Sequence, residues 1–483
     1  MATLINELAP QALWKNFESL CNIPRPSKKE TKVIEHVIDF AKKHNLKYSK
    51  DEVGNVVISK PATKGNENKP TVVLQAHLDM VPQKNTATVH DFEKDPIQPV
   101  IDGEWVRAKG TTLGSDNGIG VSAALAILEA NDIAHGPMEA LFTIDEETGM
   151  TGAFNLKPGM LKGTILMNLD SEDEGEIFIG CAGGVNTTVT FEFKPEAVPS
   201  GMKAFKINLT GLKGGHSGVD IHLGRGNANK VMNRFLWKAS RDLGLRISSI
   251  EGGSLRNAIP RESFVTAIVP ANNEKALLSW ADEFSKTIKN ELSSVEPDIK
   301  FEAVTTSLPS TVLDKQTQEK FLNAIYAAPN GVIRMISEMP EVVETSTNLA
   351  IIKSDEKTIE VNCLLRSSVD SAKTDLANAM TSVFELAGAK VVHDGQYPGW
   401  KPDVASPILK TMKKVYEEQF GKTPEVKVIH AGLECGIIGD VYKNMDMIYF
   451  GPTIRHPHSP DEKVNIPSVE KFWKYLVETL KAV

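Results

Sequence analysis

The chain has 483 residues, 41% hydrophobic and 24% charged, with a formal net charge of −8. That length carries roughly two to four domains, and the composition is that of a globular protein with ample core. The negative balance argues against nucleic acid as a partner, and no apolar run approaches membrane-spanning length, so a membrane is not expected either. Cys21, Cys181, Cys363 and Cys435 are scattered without a Cys-x-x-Cys pair, which excludes a disulfide framework and a sulfur-rich metal site. Any metal must then be held by imidazoles and carboxylates. Residues 1–7 lack the basic region and apolar stretch of a signal peptide, so a cytoplasmic protein is expected.

Residues 8–45 read as helical, with Leu13, Phe17, Leu20 and Cys21 on one face and a break at Ile23-Pro24-Arg25-Pro26-Ser27. Ser27 with Glu30 has the spacing of a capping box for a second helix that carries Val33, Ile34, Val37, Ile38 and Ala41. Asn55-Val56-Val57-Ile58-Ser59 predicts a short strand, and residues 71–80 a β-branched strand ending in His77-x-Asp79. The turn Gly114-Ser115-Asp116-Asn117-Gly118 opens a helical run over 121–130. Two more predicted strands end in acids: 138–144 before Asp145-Glu146-Glu147, and 164–169 before Asp170. Strands alternating with helices predict an α/β, three-layer catalytic domain around a largely parallel sheet.

The texture changes near Gly183-Gly184. Partly alternating strands (204–209 and 263–269), helices and polar connectors predict an inserted α+β domain, with room for two small sheet units. The α/β pattern resumes after Tyr397-Pro398-Gly399-Trp400-Lys401-Pro402, with helices near 406–420 and 468–481 and strands near 425–430 and 446–450. The expected division is 1–184 and 401–483 for the catalytic domain, with 185–400 as an inserted lid.

His77, the Glu146-Glu147 pair and Asp170 each end a separate predicted strand, and Asp116 lies where a glycine turn meets a helix start. In open parallel sheets, ligands bind beyond the carboxyl ends of the strands. Four elements thus deliver imidazole and carboxylate groups to one edge, and the loop Arg455-His456-Pro457-His458 adds more imidazoles. Two imidazoles with three carboxylates suit a pair of zinc ions better than magnesium or calcium. Within His77-x-Asp79 the alternation of a strand sends both side chains the same way, so a carboxylate can orient the imidazole. Asp116 has a rival role as a helix cap, and His456 is the alternative to His458.

The ordered series His77-x-Asp79, Gly114-x-Asp116-Asn117-Gly118, Asp145-Glu146-Glu147-x-Gly149, Asp170 and His458 resembles the co-catalytic zinc exopeptidases and aminoacylases. Finer features resemble the bacterial aminoacyl-histidine dipeptidases. These are Ile23-Pro24-Arg25-Pro26-Ser27, Gly214-Gly215-His216-Ser217-Gly218, Asn257-Ala258-Ile259-Pro260-Arg261, His430-Ala431-Gly432-Leu433-Glu434-Cys435-Gly436 and His458-Ser459-Pro460-Asp461-Glu462. The resemblance implies two Zn2+ per chain, with Co2+ or Mn2+ as stand-ins. It implies His77 and Asp170 on one ion, His458 and Glu147 on the other, and Asp116 bridging. It further implies Asp79 as orienter of His77 and Glu146 as general base, with Glu146 and Glu147 pointing apart if the chain is extended there. His216 would stabilise the oxyanion, while Asn257, Arg366 and Gly432 would hold a small dipeptide.

Bland readings stand beside these. The Gly-Gly-His-Ser-Gly loop can be a tight turn, Arg366 a strand-surface charge, and His430 with Glu434 a structural hydrogen-bond pair. The implied activity is hydrolysis of aminoacyl-histidine dipeptides such as carnosine. Its alternatives are deacylation of N-acyl amino acids at the same site, or a non-catalytic metal-binding scaffold. A homodimer is the preferred assembly, although a lid this long could stand in for a neighbour's, which leaves open whether His216 serves its own chain.

Overall fold

Val72–His77 is buried at all of its positions, and so is Met138–Thr143. Strands with no exposed face belong to a sheet covered on both sides, the usual state of parallel strands between helical layers. The computed structural model, which describes residues 4–483, has this arrangement. Residues 1–3, part of the stretch read for a signal peptide, lie outside the described residues.

Val72–His77 runs parallel to Met138–Thr143, with His77 opposite Thr143, and parallel to Ile165–Asn168 on its other side. Asp446–Tyr449 continues the parallel centre. Val56–Lys60 and Lys47–Lys50 extend one flank antiparallel; Glu176–Cys181 pairs antiparallel on the other, with Glu425–Ile429 completing the eight strands. Ser115–Glu129, apolar around its whole circumference, packs on the central strand and is itself covered by Gln11–Cys21. The parallel strands therefore end together, and the loops leaving them share one edge of the sheet.

By packing, the chain divides into two units. The first comprises the residues through Gly180 with Pro402–Val428 and Leu433–Val483; the second comprises Cys181–Lys401 with Ile429–Gly432. The first also carries a four-stranded antiparallel sheet in which Lys463–Asn465 lies between Ile454–Arg455 and Trp105–Ala108.

The second unit is built on one nine-stranded antiparallel sheet rather than the two small units its length could have held. A four-stranded half and a five-stranded half, the latter including Gly331–Ile336 paired with Met339–Ser354, meet edge to edge at Glu251 opposite Lys353 and Gly252 opposite Ile352. In Met202–Thr210, Phe205, Ile207 and Leu209 point into the core while Lys203 and Lys206 face water. On that inner side Phe235, Phe284 and Phe301 pack against one another with centroids 4.8–5.4 Å apart. Each fully buried ring of this kind contributes about 1.5–3 kcal/mol of transfer free energy.

The predicted capping box does not form. Glu30 precedes Thr31–Lys43 without any side-chain cap, and both residues are drawn elsewhere. Ser27 Oγ donates to Asp79 Oδ2 at 2.7 Å, and Glu30 Oε1 accepts from the Lys28 and Asp145 amides. A long-range acceptor wins over the local cap.

Candidate active site

His77 is the last residue of its strand and is 1% exposed. Its Nδ1 lies 3.3 Å from Asp79 Oδ1, while Nε2 lies 3.1 Å from Asp116 Oδ1 and 3.3 Å from Asp170 Oδ1. The imidazole thus has an orienting carboxylate behind it and two carboxylates before it. Asp79 does more than orient. It accepts from the Glu146 amide at 3.0 Å and the Glu147 amide at 3.3 Å, which ties the strand end to the acidic turn. Burial opposes its ionisation, but His77, Ser27 and the Glu146 amide outweigh burial and hold its carboxyl below the usual range.

Asp116 sits at the kinked start of its helix, with φ −82° and ψ 109° and a cis bond to Asn117. It does not cap the helix; the residue before the helix is Gly114 in the left-handed region, φ 70°, and no side chain caps there. The Asp116 carboxylate instead divides itself, with Oδ1 toward His77 and Oδ2 3.2 Å from His458 Nε2. His458 Nε2 also lies 2.9 Å from Glu147 Oε2. His458 rides on the hairpin loop between Ile454–Arg455 and Lys463–Asn465, and the latter strand pairs with Trp105–Ala108 just before the Asp116 turn. The small sheet therefore delivers His458. His456 is exposed and belongs to neither group of converging ligands.

Glu146 and Glu147 lie in a short helical turn, Glu146–Gly149, entered through Asp145 at φ 50° and ψ 44°. The chain is therefore not extended there, and any divergence of the two side chains comes from the 100° step of a helix. Asp170 accepts from Asn117 Nδ2, and its own amide donates to Asn168 Oδ1 at 2.9 Å.

Two ligand groups result, His77 with Asp116 and Asp170, and Asp116 with Glu147 and His458. Within each, the candidate ligand atoms lie within 4.8 Å of one another, and Asp116 belongs to both. The electrostatics call for cations. Burial alone would keep His77 neutral, yet Asp170, Asp116 and Asp79 push its pKa well above its ordinary value. Asp116 and Glu147 push His458 up to about 11. Asp170 is pushed up to about 8, chiefly by burial and also by the charges of Asp116 and Glu434. The imidazoles are forced into the part of cations, and Glu147 Oε1 is buried with no hydrogen-bond partner among the described residues. A pair of divalent cations fits this donor set, since it would neutralise the acids and leave the imidazoles as neutral ligands. The buried trio Glu30, Asp79 and Asp145 differs, because each of its carboxylates already has protein donors, including the Thr148 and Thr151 hydroxyls on Asp145.

Glu146 belongs to neither ligand group. Burial raises its pKa well above the ordinary carboxylate value, with Asp170, Glu434 and Glu147 adding to the effect against His77. A half-buried carboxyl that resists ionisation beside a group of candidate metal ligands is suited to taking and returning a proton.

The remaining predicted residues lie in the second unit. His216 and Asn257 are neighbours on a two-stranded ribbon, where His216 pairs with Ala258 and the Ser217 amide donates to the Asn257 carbonyl at 2.8 Å. The Asn257 side chain is exposed. His216 Nδ1 accepts from the Gly218 and Val219 amides at 3.2 and 3.1 Å, and burial with the nearby Arg366 lowers its pKa. The ring is therefore neutral with its proton on Nε2. Arg366 is 5% exposed and has no carboxylate partner among the described residues; its Nη1 donates to the Tyr397 hydroxyl at 2.9 Å. Gly432 belongs to the short segment that groups with this unit, next to His430, which pairs with Ser346 Oγ at 2.7 Å.

Spacing gave no sign of several contributors. Gln75 links Asn168 to Glu434, which is 2% exposed and also accepts from Thr143. Gln75 was readable in principle, as an amide on the same strand face as His77 in an otherwise apolar run. Glu434 pairs with Gln75 and Thr143, and His430 with Ser346, so these two are not a hydrogen-bond pair with each other.

Comparison with known proteins agrees with this geometry. The profile described as Peptidase family M20/M25/M40 matches residues 73–482. The cytosol non-specific dipeptidase of Escherichia coli K12 is 48% identical over 479 residues, covering 99% of each chain. The crystal structure of an aminoacylhistidine dipeptidase from Vibrio alginolyticus superposes with a TM-score of 0.97 at 50% identity, covering 100% of this chain and 98% of that one. An aminopeptidase from Bacillus cereus shares the fold, with a TM-score of 0.58 at 16% identity and coverage of 98% and 99%. The chain belongs to peptidase family M20/M25/M40.

Proposed function

We propose that the protein is a metal-dependent dipeptidase that hydrolyses the single amide bond of small dipeptides, aminoacyl-histidine dipeptides among them. The observation that carries this is the shared carboxylate: Asp116 faces both His77 and His458, with an unligated acid, Glu146, beside them. The names of two relatives at 48% and 50% identity, both dipeptidases, support the substrate class.

His77 and Asp170 would hold one cation and His458 and Glu147 the other, with Asp116 common to both; imidazole nitrogen with carboxylate oxygen favours zinc. When bound, such a pair polarises a carbonyl and lowers the pKa of water. Asp79 keeps His77 in place. Glu146 takes the proton of the attacking water and returns it to the leaving amine as the C–N bond breaks and the new C–O bond forms. The Nε2–H of His216, fixed by the two amides on Nδ1, is a ready donor to the carbonyl oxygen as it gains charge. Arg366, a buried guanidinium without an acid, suits the free carboxylate of the dipeptide. Asn257 and the Gly432 backbone complete the substrate contacts in this reading. A homodimer and a cytosolic setting belong to the same proposal; no helix among the described residues is long and apolar enough to cross a membrane.

Assays on dipeptides, dipeptide amides and N-acetyl amino acids, before and after chelation, test the reading. Turnover of free dipeptides that disappears with the metal and returns with zinc supports it. A preference for N-acetyl amino acids would move the chain to the deacylase alternative.

A further inference from the structure

Two stretches that marked the resemblance have no task in the reaction, Ile23-Pro24-Arg25-Pro26-Ser27 and the end of His458-Ser459-Pro460-Asp461-Glu462. Each sends one buried charge to the same turn. Glu462, 2% exposed, accepts from four successive backbone amides. Its Oε2 takes those of Leu113 at 2.7 Å and Gly114 at 3.0 Å; its Oε1 takes those of Ser115 at 2.7 Å and Asp116 at 3.3 Å, and the Ser115 hydroxyl at 2.6 Å. A helix start leaves amides unsatisfied and favours negative charge. Here no local side chain caps it, and a carboxylate 346 residues further along does so.

On the carbonyl side of the same turn lies Arg25, 2% exposed, with no carboxylate partner among the described residues. Its Nη1 donates to the carbonyls of Leu78 and Asp79, both at 2.9 Å, and its Nη2 donates to the carbonyl of Gly114. The glycines flanking Asp116 leave room for it: a Cβ on Gly114 or Gly118 would come within 2.6 or 2.7 Å of Nη2. Arg25 thus fastens the His77 strand end to the Asp116 turn. Glu462 fastens the His458 loop to that turn from the other side.

We propose that Arg25 and Glu462 form a two-charge clamp that holds the Asp116 carboxylate between His77 and His458 before any cation arrives. Asp116, Glu147 and Asp170 repel one another when no cation is bound, and a turn held only by its own backbone would yield to that repulsion. The clamp rests on the reading of Asp116 as the shared ligand. Both residues are positioning residues, acting through the backbone of the turn.

Zinc titration calorimetry on chelator-stripped, full-length protein tests it, with circular dichroism and melting temperature as controls. In Glu462→Gln one oxygen becomes an NH2 facing amides that are themselves donors. In Arg25→Lys a single ammonium cannot span carbonyls from two segments. Both are expected to bind zinc 10–100-fold more weakly while remaining folded, about the range seen when groups behind metal ligands are removed. Glu296→Gln is the control, a buried carboxylate in the second unit that accepts from the Lys213 amide at 2.7 Å and the Gly226 amide at 2.9 Å. It is expected to lower the melting temperature and leave zinc affinity unchanged. If Glu462→Gln does not fold, Ser115→Ala decides, since it deletes one donor and should weaken zinc about two- to tenfold. Wild-type affinity in folded Glu462→Gln, or in Ser115→Ala, overturns the clamp; so does an equal loss in Glu296→Gln. Fewer than two zinc ions on the unaltered chain would overturn the two-group reading itself.

Discussion

Around its candidate site the first unit gathers acids, and around Arg366 the second gathers bases. Around Asp116 the first unit gathers Glu146, Glu147 and Asp170 against two imidazoles, and both imidazoles are driven toward the charged form. In the second, burial and the nearby charge of Arg366 drive both His216 and His430 toward the neutral form. Without cations the same side chain is therefore driven in opposite directions in the two units. Buried charge without a partner is costly and is retained where a ligand completes it. In the proposed reading, cations complete the first unit, and the carboxylate and oxyanion of a substrate complete the second.

The largest way to break this comparison is at Glu146. Glu146→Ala should lower kcat by about 10²–10⁴-fold while the metal content measured by atomic absorption stays at the unaltered level. Retained turnover would take the proton-transfer role from Glu146. Next, His216→Ala should cost about 10²–10³-fold in kcat with little change in KM, because a neutral Nε2–H acts on charge that develops only in the transition state. A KM effect alone would make His216 a binding residue.

Arg366→Met sharpens the second unit's part. It should raise KM for free dipeptides about 10–100-fold, the value of a charge-assisted hydrogen bond, and leave dipeptide amides almost untouched. Equal losses on both substrates would mean that the guanidinium serves the fold.

The smallest effect concerns stability. Burial, with the charges of Arg366 and His216, pushes the His430 pKa down to about 3. The unfolded chain takes up that proton near the ordinary value of about 6.5 and the folded chain does not. The stability contributed by neutral His430 is thus fully present above about 6.5 and is lost as pH falls toward 3. His430→Gln should flatten the pH dependence of the unfolding free energy in that window by up to one proton, as read from urea melts. An unchanged slope would mean that His430 is protonated in the fold.

Much of this was legible because it is written in periodicity. Val72–His77 and Met138–Thr143 are continuous apolar runs, and the parallel register that such runs imply brings their carboxyl ends to one edge. The Asp116 turn and the His458 loop were legible as motifs. What stayed hidden depends on contacts that spacing cannot encode. Ser27 and Glu30 fit a local capping pattern, yet Asp79 and the Asp145 amide, brought near only by the sheet, compete for them and win. Glu462 is legible only as the end of a motif, and the amides it accepts from lie some 346 residues away. The residues leave the conformation of the Glu146 turn open, and left-handed Asp145 bends it into a short helix.

The central claim is that one carboxylate serves two cations. Counting zinc per chain by calorimetry on the stripped protein, with and without Asp116→Ala, tests it most directly. The account predicts two ions on the unaltered chain and weakened binding at both sites in Asp116→Ala. A variant that still binds two ions with unchanged affinity, or an unaltered chain that binds only one, would contradict it.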